Sequence, residues 1–232
     1  MAGPVRALSF DLDDTFWDVW AAVARAEAAL HAWLAERHPP IAARYTPLGL
    51  RALGAEIAQA EPAIALDLSE RRRRALCLAA ERCGCARGFV VEEAFAVFYA
   101  SRNRVEFFPG VLAVLERLAA HYPLIALSNG NADLGLVGIA HHFRFALNAV
   151  AVGAPKPDPR MFLAAAERLG LTPGTIVHIG DHPEHDVLGA LRSGYRSVWF
   201  NPGGAAWAAP DYRPDAEIAA FDQLEAVLQR WD

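Results

Sequence analysis

The spacing of apolar residues changes character along the chain. A short, mostly apolar stretch at Val5–Phe10 is typical of a buried strand. From about residue 19 to about residue 104 the apolar residues recur at helical spacing, and stretches containing Gly and Pro interrupt the pattern. The pattern predicts four helices in this region, over about residues 18–37, 47–61, 69–83 and 91–104.

Beyond about residue 108, short apolar strands alternate with helical patterns. We predict strands at "PLIALS", "FALNAV", "TIVHIG" and "SVWF", and a last short strand at "AEI". Helices are predicted between them, over about residues 110–121, 158–169 and 184–193, with a short helix after "PLIALS" and one at the C-terminus. This alternation is typical of an α/β fold, a doubly wound parallel sheet with helices on both faces. The first strand must join the sheet, so the helical block is an insertion.

Composition narrows the class of protein. The chain has 232 residues, 54% of them hydrophobic and 21% charged, which suits one large globular domain or two unequal ones. The net charge of -5 argues against a surface for nucleic acid or anionic membrane. No apolar run reaches the length of a membrane span, and the N-terminus does not resemble a signal peptide. Three unevenly spaced cysteines suit a reducing compartment, so we expect a cytoplasmic protein.

Polar residues follow the predicted strands. In open α/β sheets, ligands bind where the strands end, so these residues are the candidate site. The segments are "DLDDT" at 11–15, "SNG" at 128–130, "PKP" around Lys156, and "GD" at 180–181 with Asp186 further on. Because the strands are parallel, we expect these four segments to meet at one edge of the sheet.

The carboxylates of this set predict a hard cation. Like charges at the end of a buried strand repel one another unless a cation compensates them, and Mg²⁺ prefers a few carboxylates together with water and phosphate oxygens. Asp11 and Asp181, with Asp186 as a further candidate, could hold such an ion. A carboxylate can also attack phosphorus, and in an extended segment Asp13 points the same way as Asp11 and could act as general acid and base.

The remaining groups suit a phosphoryl group. Ser128 offers a hydroxyl, and the backbone N–H groups near Asn129 and Gly130 can form an anion-binding concavity. Lys156 is the only lysine in the chain, although Lys and Arg together number 22. A compact ammonium held between two prolines favours a functional role for this residue.

The four ordered motifs resemble those of the haloacid dehalogenase-like hydrolase superfamily. The resemblance implies a Rossmann-like core of residues 1–16 and 108–232, with a helical cap domain of residues 17–107 inserted after the first motif. By position, Asp11 resembles the nucleophile, Asp13 the general acid/base and Lys156 the lysine that stabilises charge. It implies Mg²⁺ as cofactor, with a metal site drawn from Asp11, Asp13, Asp181 and Asp186.

The resemblance also implies a set of substrate-binding residues. Ser128 matches the residue that binds the phosphoryl group, with Asn129 and Gly130 beside it, and Thr15 matches the threonine that supports the loop. We add Trp17, which is placed to stack on a planar substrate ring at the junction of core and cap. We expect "RRRR" at 71–74 to form a solvated helix face, with contact to a substrate phosphate as the alternative.

These expectations define a phosphatase acting on a small phosphorylated molecule, with no nucleic-acid or membrane partner, as a monomer or homodimer. The stretches "ALDLSERRRR", "LSNGNADL" and "VGAPKPDPRMF" are similar to the branch that dephosphorylates flavin mononucleotide, ribityl-uracil phosphates and related compounds. Three alternatives stay open. A 2-haloacid dehalogenase needs no acid for its leaving group, so Asp13 argues against it. A phosphomutase needs a cap that excludes water, and a phosphate-binding regulator without turnover would show a damaged motif.

Overall fold

A computed structural model describes residues 3–231. These residues form two compact units. The sheet unit comprises the chain up to Asp18, Glu106–Gly130 and the chain from Gly138 onward. The helical unit comprises Val19–Val105 and Asn131–Val137. The predicted boundaries between core and cap, at 16/17 and 107/108, stay a prediction.

The sheet unit is built on parallel strands. They are β1 (Ala7–Phe10), β2 (Leu124–Ser128), β3 (Phe143–Asn148), β4 (Ile176–Gly180), β5 (Arg196–Phe200) and β6 (Ala216–Ile218). In the part of the chain that the structure describes, they form one 6-stranded sheet in the order β3-β2-β1-β4-β5-β6. The predicted α/β fold with a Rossmann-like parallel sheet is confirmed.

The buried strands explain why the chain folds this way. Every residue of β1, β2 and β4 is buried, as their largely apolar sequences predict for strands covered on both faces. β1 lies between β2 and β4, with Leu8 paired to Leu124 on one side and to Val177 on the other. The chain winds outward from β1 to β3 and returns to β4, so the strand order reverses between β1 and β4. Ligand sites of open α/β sheets lie at such a reversal.

Helices connect the strands and form the helical unit. They are α1 (Val19–Arg37), α2 (Pro39–Arg44), α3 (Pro47–Ala60), α4 (Leu68–Arg82), α5 (Val91–Arg102), α6 (Val111–Ala119), α7 (Leu134–Val137), α8 (Ala149–Val152), α9 (Pro159–Leu169), α10 (Gly189–Arg192) and α11 (Leu224–Leu228). None of the described helices is both long enough and apolar enough to cross a membrane.

Three local predictions need correction. The chain breaks at "RHPP" after α1, as the Pro residues indicate, but Pro39 also begins a short helix, α2, that the pattern does not predict, since proline is well suited to a first helical turn, where its missing N–H is not needed. The predicted strand at "FALNAV" ends two residues early, since the Asn148 side chain accepts a hydrogen bond from Ala151 N and starts α8. The predicted helix at 184–193 consists of a π-helical segment, Pro183–Leu188, followed by α10.

The helical unit has its own apolar core, and the described helices α1 to α5 contribute to it. Leu30, Leu34, Ile41, Leu53 and Leu76 are among its fully or almost fully buried side chains. The region contains no strand among the described residues, as the helical spacing predicts.

Candidate active site

The first motif begins where β1 ends. The backbone N–H of Asp11 donates to Ile179 O at 2.9 Å, so the chain runs alongside β4 for one further residue. It then turns, because the N–H groups of Thr15 and Phe16 both donate to Leu12 O. Asp14 lies within this turn with φ 60°, a conformation that aspartate tolerates better than most residues.

Lys156 joins two carboxylates inside the sheet unit. Its Nζ lies 2.7 Å from Asp11 Oδ1 and donates to Asp186 Oδ1 at 2.6 Å. The lysine side chain is only 2% exposed. An ammonium buried this deeply needs charged partners, so the two carboxylates account for its position and fix its direction.

Asp186 is held from three sides. Besides Lys156, its Oδ1 lies 3.2 Å from His178 Nε2, and its Oδ2 accepts a hydrogen bond from His182 N at 2.9 Å. His178 Nδ1 in turn lies 2.9 Å from Ser9 Oγ. Since an ionised Asp186 can only accept, Nε2 of His178 carries the proton and Nδ1 accepts from the serine. A buried chain of hydrogen bonds thus connects Ser9 to Lys156 through His178 and Asp186.

Asn129 holds the backbone of Lys156. Its Nδ2 donates to Lys156 O at 2.9 Å, and its Oδ1 accepts from Lys156 N at 2.7 Å. The sequence predicts a substrate-binding role for Asn129, but both ends of its side-chain amide are used by the lysine segment. Asn129 therefore holds the backbone of Lys156 in this structure, and its predicted substrate-binding role stays a prediction.

Gly130 brings Asp13 and Ser128 together. Its N–H donates to Ser128 Oγ at 2.9 Å. A Cβ at this position would lie 2.4 Å from Asp13 Oδ2 and 3.2 Å from Ser128 Oγ, so no side chain fits here unless the Asp13 carboxylate moves. The first two motifs are therefore neighbours, as their positions after β1 and β2 predict.

Trp17 does not face a ligand. It is fully buried, and it packs against Phe16 and Phe107 with ring centroids 6.1 and 5.8 Å away. Its Nε1 donates to Asp13 Oδ1 at 2.8 Å. The prediction that Trp17 stacks on a substrate ring is wrong for this structure because no face of the indole is open. The indole N–H instead contacts the carboxylate of Asp13.

Thr15 and Asp181 connect the first and last motifs. The fully buried Thr15 donates from Oγ1 to Asp181 Oδ1 at 2.9 Å. Trp199 Nε1 donates to the backbone oxygen of Asp181 at 2.7 Å. The hydroxyl of Thr15 is therefore directed at a carboxylate in this structure, and its predicted role in supporting the loop stays a prediction.

Three carboxylates form a group that fits a hard divalent cation. Asp11, Asp181 and Asp186 each offer an oxygen, and these oxygens all lie within 4.8 Å of one another. Among the described residues, no histidine or cysteine belongs to such a group, and neither does the Asp13 carboxylate. Oxygen donors of this kind suit Mg²⁺. Both carboxylate oxygens of Asp186 already contact Lys156, His178 or His182. Asp11 and Asp181 are therefore the members of the group better placed to bind a cation.

The electrostatics reflect this crowding. Burial raises the pKa of Asp11 well above its usual value, and the charges of Asp186 and Asp181 add to the rise, although Lys156 opposes it. Burial, followed by the charge of Asp186, raises the pKa of Asp181 to about 7. Burial alone would raise the pKa of Asp186 and lower that of Lys156. Their ion pair outweighs it, so the pKa of Asp186 is lowered and that of Lys156 is raised.

The sequence analysis missed three residues of the site, and it missed the contact that Asn129 makes. Ser9, His178 and Trp199 lie within predicted strands, where the pattern of apolar residues indicates burial but not the partner of a polar atom. The only available signal was that Ser9 and His178 are polar residues inside otherwise apolar runs, and buried polar groups require partners. The lysine-holding role of Asn129 had no sequence signal, because it depends on a rotamer.

The fold and the site define a hydrolase in which one aspartate lies at the edge of the sheet beside a buried ammonium and further carboxylates. Residues 5–194 match the model of the haloacid dehalogenase-like hydrolase family. The chain belongs to this family.

Particular relatives extend the comparison. The chain is 34% identical to the 5-amino-6-(5-phospho-D-ribitylamino)uracil phosphatase YigB of Escherichia coli K12, over 97% of each chain. It is 36% identical to the phosphoserine phosphatase of Thermus thermophilus, over 78% of this chain and 70% of the relative. Among solved structures, it resembles a 2-haloacid dehalogenase from Pseudomonas syringae pv. Tomato DC3000, with 40% identity and a TM-score of 0.90. That match covers 98% of this chain and all of the other.

Proposed function

We propose that this protein hydrolyses small-molecule phosphomonoesters through an aspartyl-phosphate formed on Asp11. The observation that carries the proposal is the meeting of Asp11, Lys156 and Asp181 at the edge of the sheet, with Asp13 and Ser128 flanking Gly130. The two curated relatives described above, both named as phosphatases, support this activity.

In the first step, the Asp11 carboxylate attacks phosphorus. Lys156 holds Oδ1, so Oδ2 is the oxygen that forms the new P–O bond. The bond between phosphorus and the substrate oxygen breaks, and that oxygen leaves with the proton of Asp13. Protonation avoids expelling an alkoxide, a poor leaving group.

In the second step, water attacks the phosphorus of the aspartyl-phosphate. Asp13, now ionised, takes a proton from the water. The bond between phosphorus and Asp11 breaks, inorganic phosphate leaves, and both carboxyl groups return to their starting states. The hydrogen bond from Trp17 keeps the Asp13 carboxyl in one orientation through both steps.

The negative charge of the transferring group needs donors that are already in place. Lys156 supplies an ammonium whose direction is fixed by its carboxylate partners, while the two hydrogen bonds between its backbone and the Asn129 side chain hold its main chain. The Ser128 hydroxyl accepts from Gly130 N, which leaves its own proton for a phosphoryl oxygen. Donors held in this way lose little entropy when the charge develops.

Mg²⁺ is the proposed cofactor, held by Asp11 and Asp181 with Asp186 beside them. When bound, the ion neutralises carboxylate and phosphate charge, which allows the anionic nucleophile and the anionic substrate to meet. Asp13 does not belong to this group of carboxylates. Its predicted part in binding the metal therefore remains a proposal.

The substrate class we propose is a phosphate on a ribityl or sugar chain, including flavin mononucleotide. Its support is the name of the curated relative that matches along 97% of the chain. We further propose that the protein acts in the cytoplasm, in agreement with its few cysteines.

Hydrolytic dehalogenation is the second candidate, favoured by the name of the solved structure with 40% identity. In that reaction the Asp11 carboxylate would displace halide from a carbon atom, and the halide would leave without a proton. The placement of Asp13, with its carboxylate beside the phosphoryl-binding loop and oriented by Trp17, favours the phosphatase because only that reaction needs an acid.

The deciding experiment is a substrate screen on the purified protein. The screen includes phosphorylated metabolites, among them flavin mononucleotide and the ribitylaminouracil phosphate, and 2-chloropropionate, each with Mg²⁺ or with EDTA. We expect phosphate release with Mg²⁺, its loss in EDTA and in Asp11→Asn, and no chloride release. Chloride release without phosphate release would overturn the proposal.

A further inference from the structure

The helical unit contains a cavity that the proposed chemistry does not use. Its volume is about 150 Å³, and its apolar wall includes Leu30, Leu50, Leu76 and Phe98. An apolar cavity of roughly this size is large enough for a benzene-sized group. The cavity is therefore large enough for one small ring or a branched chain of similar volume.

Four arginines also line this cavity and make its polar side basic. They are Arg51, Arg71, Arg72 and Arg102. Glu27 forms ion pairs with two of them. Arg51 donates two hydrogen bonds to its carboxylate, at 2.6 and 3.1 Å, and Arg72 Nη2 lies 3.5 Å from its Oε1. One carboxylate therefore faces two guanidinium groups, which leaves a net positive charge before Arg71 is considered.

Arg71 adds further positive charge. Its Nε donates to Gly54 O at 3.2 Å and its Nη1 to Ala65 O at 3.4 Å. Among the described residues, no carboxylate pairs with it. Backbone carbonyls orient a guanidinium without neutralising it, so the charge of Arg71 is available to a ligand.

Arg72 is shielded from water, which strengthens its interaction with an anion. Its guanidinium lies over the ring of Phe98, 3.6 Å from the centroid, and its side chain is 17% exposed. Burial lowers its pKa even though Glu27 opposes the change. Charged groups in such surroundings attract a counter-charge more strongly than the same groups in water. The expected solvated face at 71–74 is thus correct for Arg74 and wrong for Arg71 and Arg72.

From this cavity we infer a binding site for an organic anion, a carboxylate carried on an apolar body about the size of one ring. The guanidinium groups have donors and no acceptors, so they select an acceptor-rich group, and the leucines and Phe98 select the apolar body. Such an anion could be one end of the substrate or a separate small molecule, and the two sources have the same chemistry at this site.

Calorimetric titration with benzoate tests the site, with benzamide as the neutral control of the same shape. We expect benzoate to bind and benzamide to bind more weakly or not at all. Arg71→Gln should weaken benzoate binding about tenfold, as expected for loss of a charged hydrogen bond. Arg71→Lys should retain most of the affinity because it keeps the charge.

The matched control is Arg74→Gln on the same helix. Arg74 pairs with Glu70 and Glu61 outside the cavity, so its replacement should leave benzoate binding unchanged. Equal binding of benzoate and benzamide, or equal losses in the Arg71 and Arg74 variants, would overturn the inference. Binding must also persist in Asp11→Asn, since its loss there would place benzoate at the carboxylate site instead.

A kinetic measurement identifies the source of the anion, and this step alone rests on the proposed phosphatase activity. Competitive inhibition of p-nitrophenyl phosphate turnover by benzoate assigns the cavity to the substrate. Inhibition or activation at saturating substrate, or binding without any effect, assigns it to a separate ligand. Because the titrations need no turnover, failure of the inference and failure of the phosphatase proposal give different results.

Discussion

The side-chain amide of Asn129 and the backbone of Lys156 form a closed pair of hydrogen bonds. Asn129 Nδ2 donates to Lys156 O at 2.9 Å, and Lys156 N donates to Asn129 Oδ1 at 2.7 Å. The residue after Ser128 therefore holds the backbone from which the ammonium reaches Asp11. Two of the four motifs are linked directly, and the position of the ammonium depends on an uncharged neighbour.

Replacing Asn129 tests this link. Asn129→Ala removes both hydrogen bonds, and we expect kcat to fall by about 10- to 100-fold while KM changes little, because misplaced charge weakens transition-state stabilisation. Asn129→Asp keeps the acceptor and should lose less. The control is Asn148→Ala, which removes a helix cap elsewhere. Steady-state kinetics that show equal losses for Asn129→Ala and Asn148→Ala would contradict the positioning role.

Lys156 should not tolerate arginine. Its Nζ occupies a buried space between Asp11 and Asp186, and the planar guanidinium is broader than an ammonium. We expect Lys156→Arg to lower kcat by about 10²- to 10³-fold although the charge is kept, which is the range for lost electrostatic stabilisation. Circular dichroism should show a folded protein. A near-normal rate would show that the chain does not need an ammonium here.

The loss of kcat on replacing Asp13 should grow with the basicity of the leaving group. Asp13→Asn cannot protonate it, so we expect kcat on an alkyl phosphate to fall by about 10²- to 10⁴-fold, and turnover of p-nitrophenyl phosphate to fall much less. Asp14→Asn is the control, because this neighbour lies in the turn and asparagine also adopts positive φ. Equal losses for both substrates in Asp13→Asn would remove Asp13 as the general acid.

The metal-free protein should lose stability as the pH rises. In the folded protein the pKa of Asp181 is raised to about 7, whereas a free aspartate ionises near about 3.9. The folded state therefore holds a proton that the unfolded state has released, and stability falls between about pH 4 and about pH 7. In EDTA, the Tm of Asp181→Asn minus that of the wild type should grow from about pH 5 to about pH 8.

The control for this measurement is Asp222→Asn, an exposed carboxylate far along the chain. The pH trend of its Tm difference from the wild type is the reference against which the trend of Asp181→Asn is compared. Saturating Mg²⁺ should reduce the pH trend of the wild type, since the cation favours the ionised carboxylate. A level difference for Asp181→Asn would show that this carboxyl is not destabilised by its surroundings.

The sequence was sufficient for most of the fold because burial on two faces imposes largely apolar runs. β1, β2 and β4 follow from such runs, and the helices of the helical unit follow from helical spacing. The predicted end of β3 is wrong because Ala149 and Val150 are compatible with either a strand or a helix. The deciding interaction is a cap from the side chain of Asn148.

The site was less accessible to sequence reasoning. The positions of Asp11 and Asp181 follow from strand ends, since a parallel sheet brings those ends together. The direction of a side chain does not follow from its position. Trp17, predicted to contact a substrate, is instead buried against Asp13, because the turn after β1 folds the indole back. The direction of Asn129 likewise depends on packing between segments 27 residues apart.

Covalent phosphorylation of Asp11 tests the central claim most directly. The wild-type protein, mixed with a phosphomonoester and Mg²⁺ and quenched in acid during the first turnover, can be digested and analysed by mass spectrometry. The account predicts one phosphoryl group on Asp11, absent in Asp11→Asn, and, in ¹⁸O-labelled water, label in the released phosphate but not in the Asp11 carboxyl. Product formation without phosphorylation of Asp11, or solvent oxygen in the Asp11 carboxyl, would contradict it.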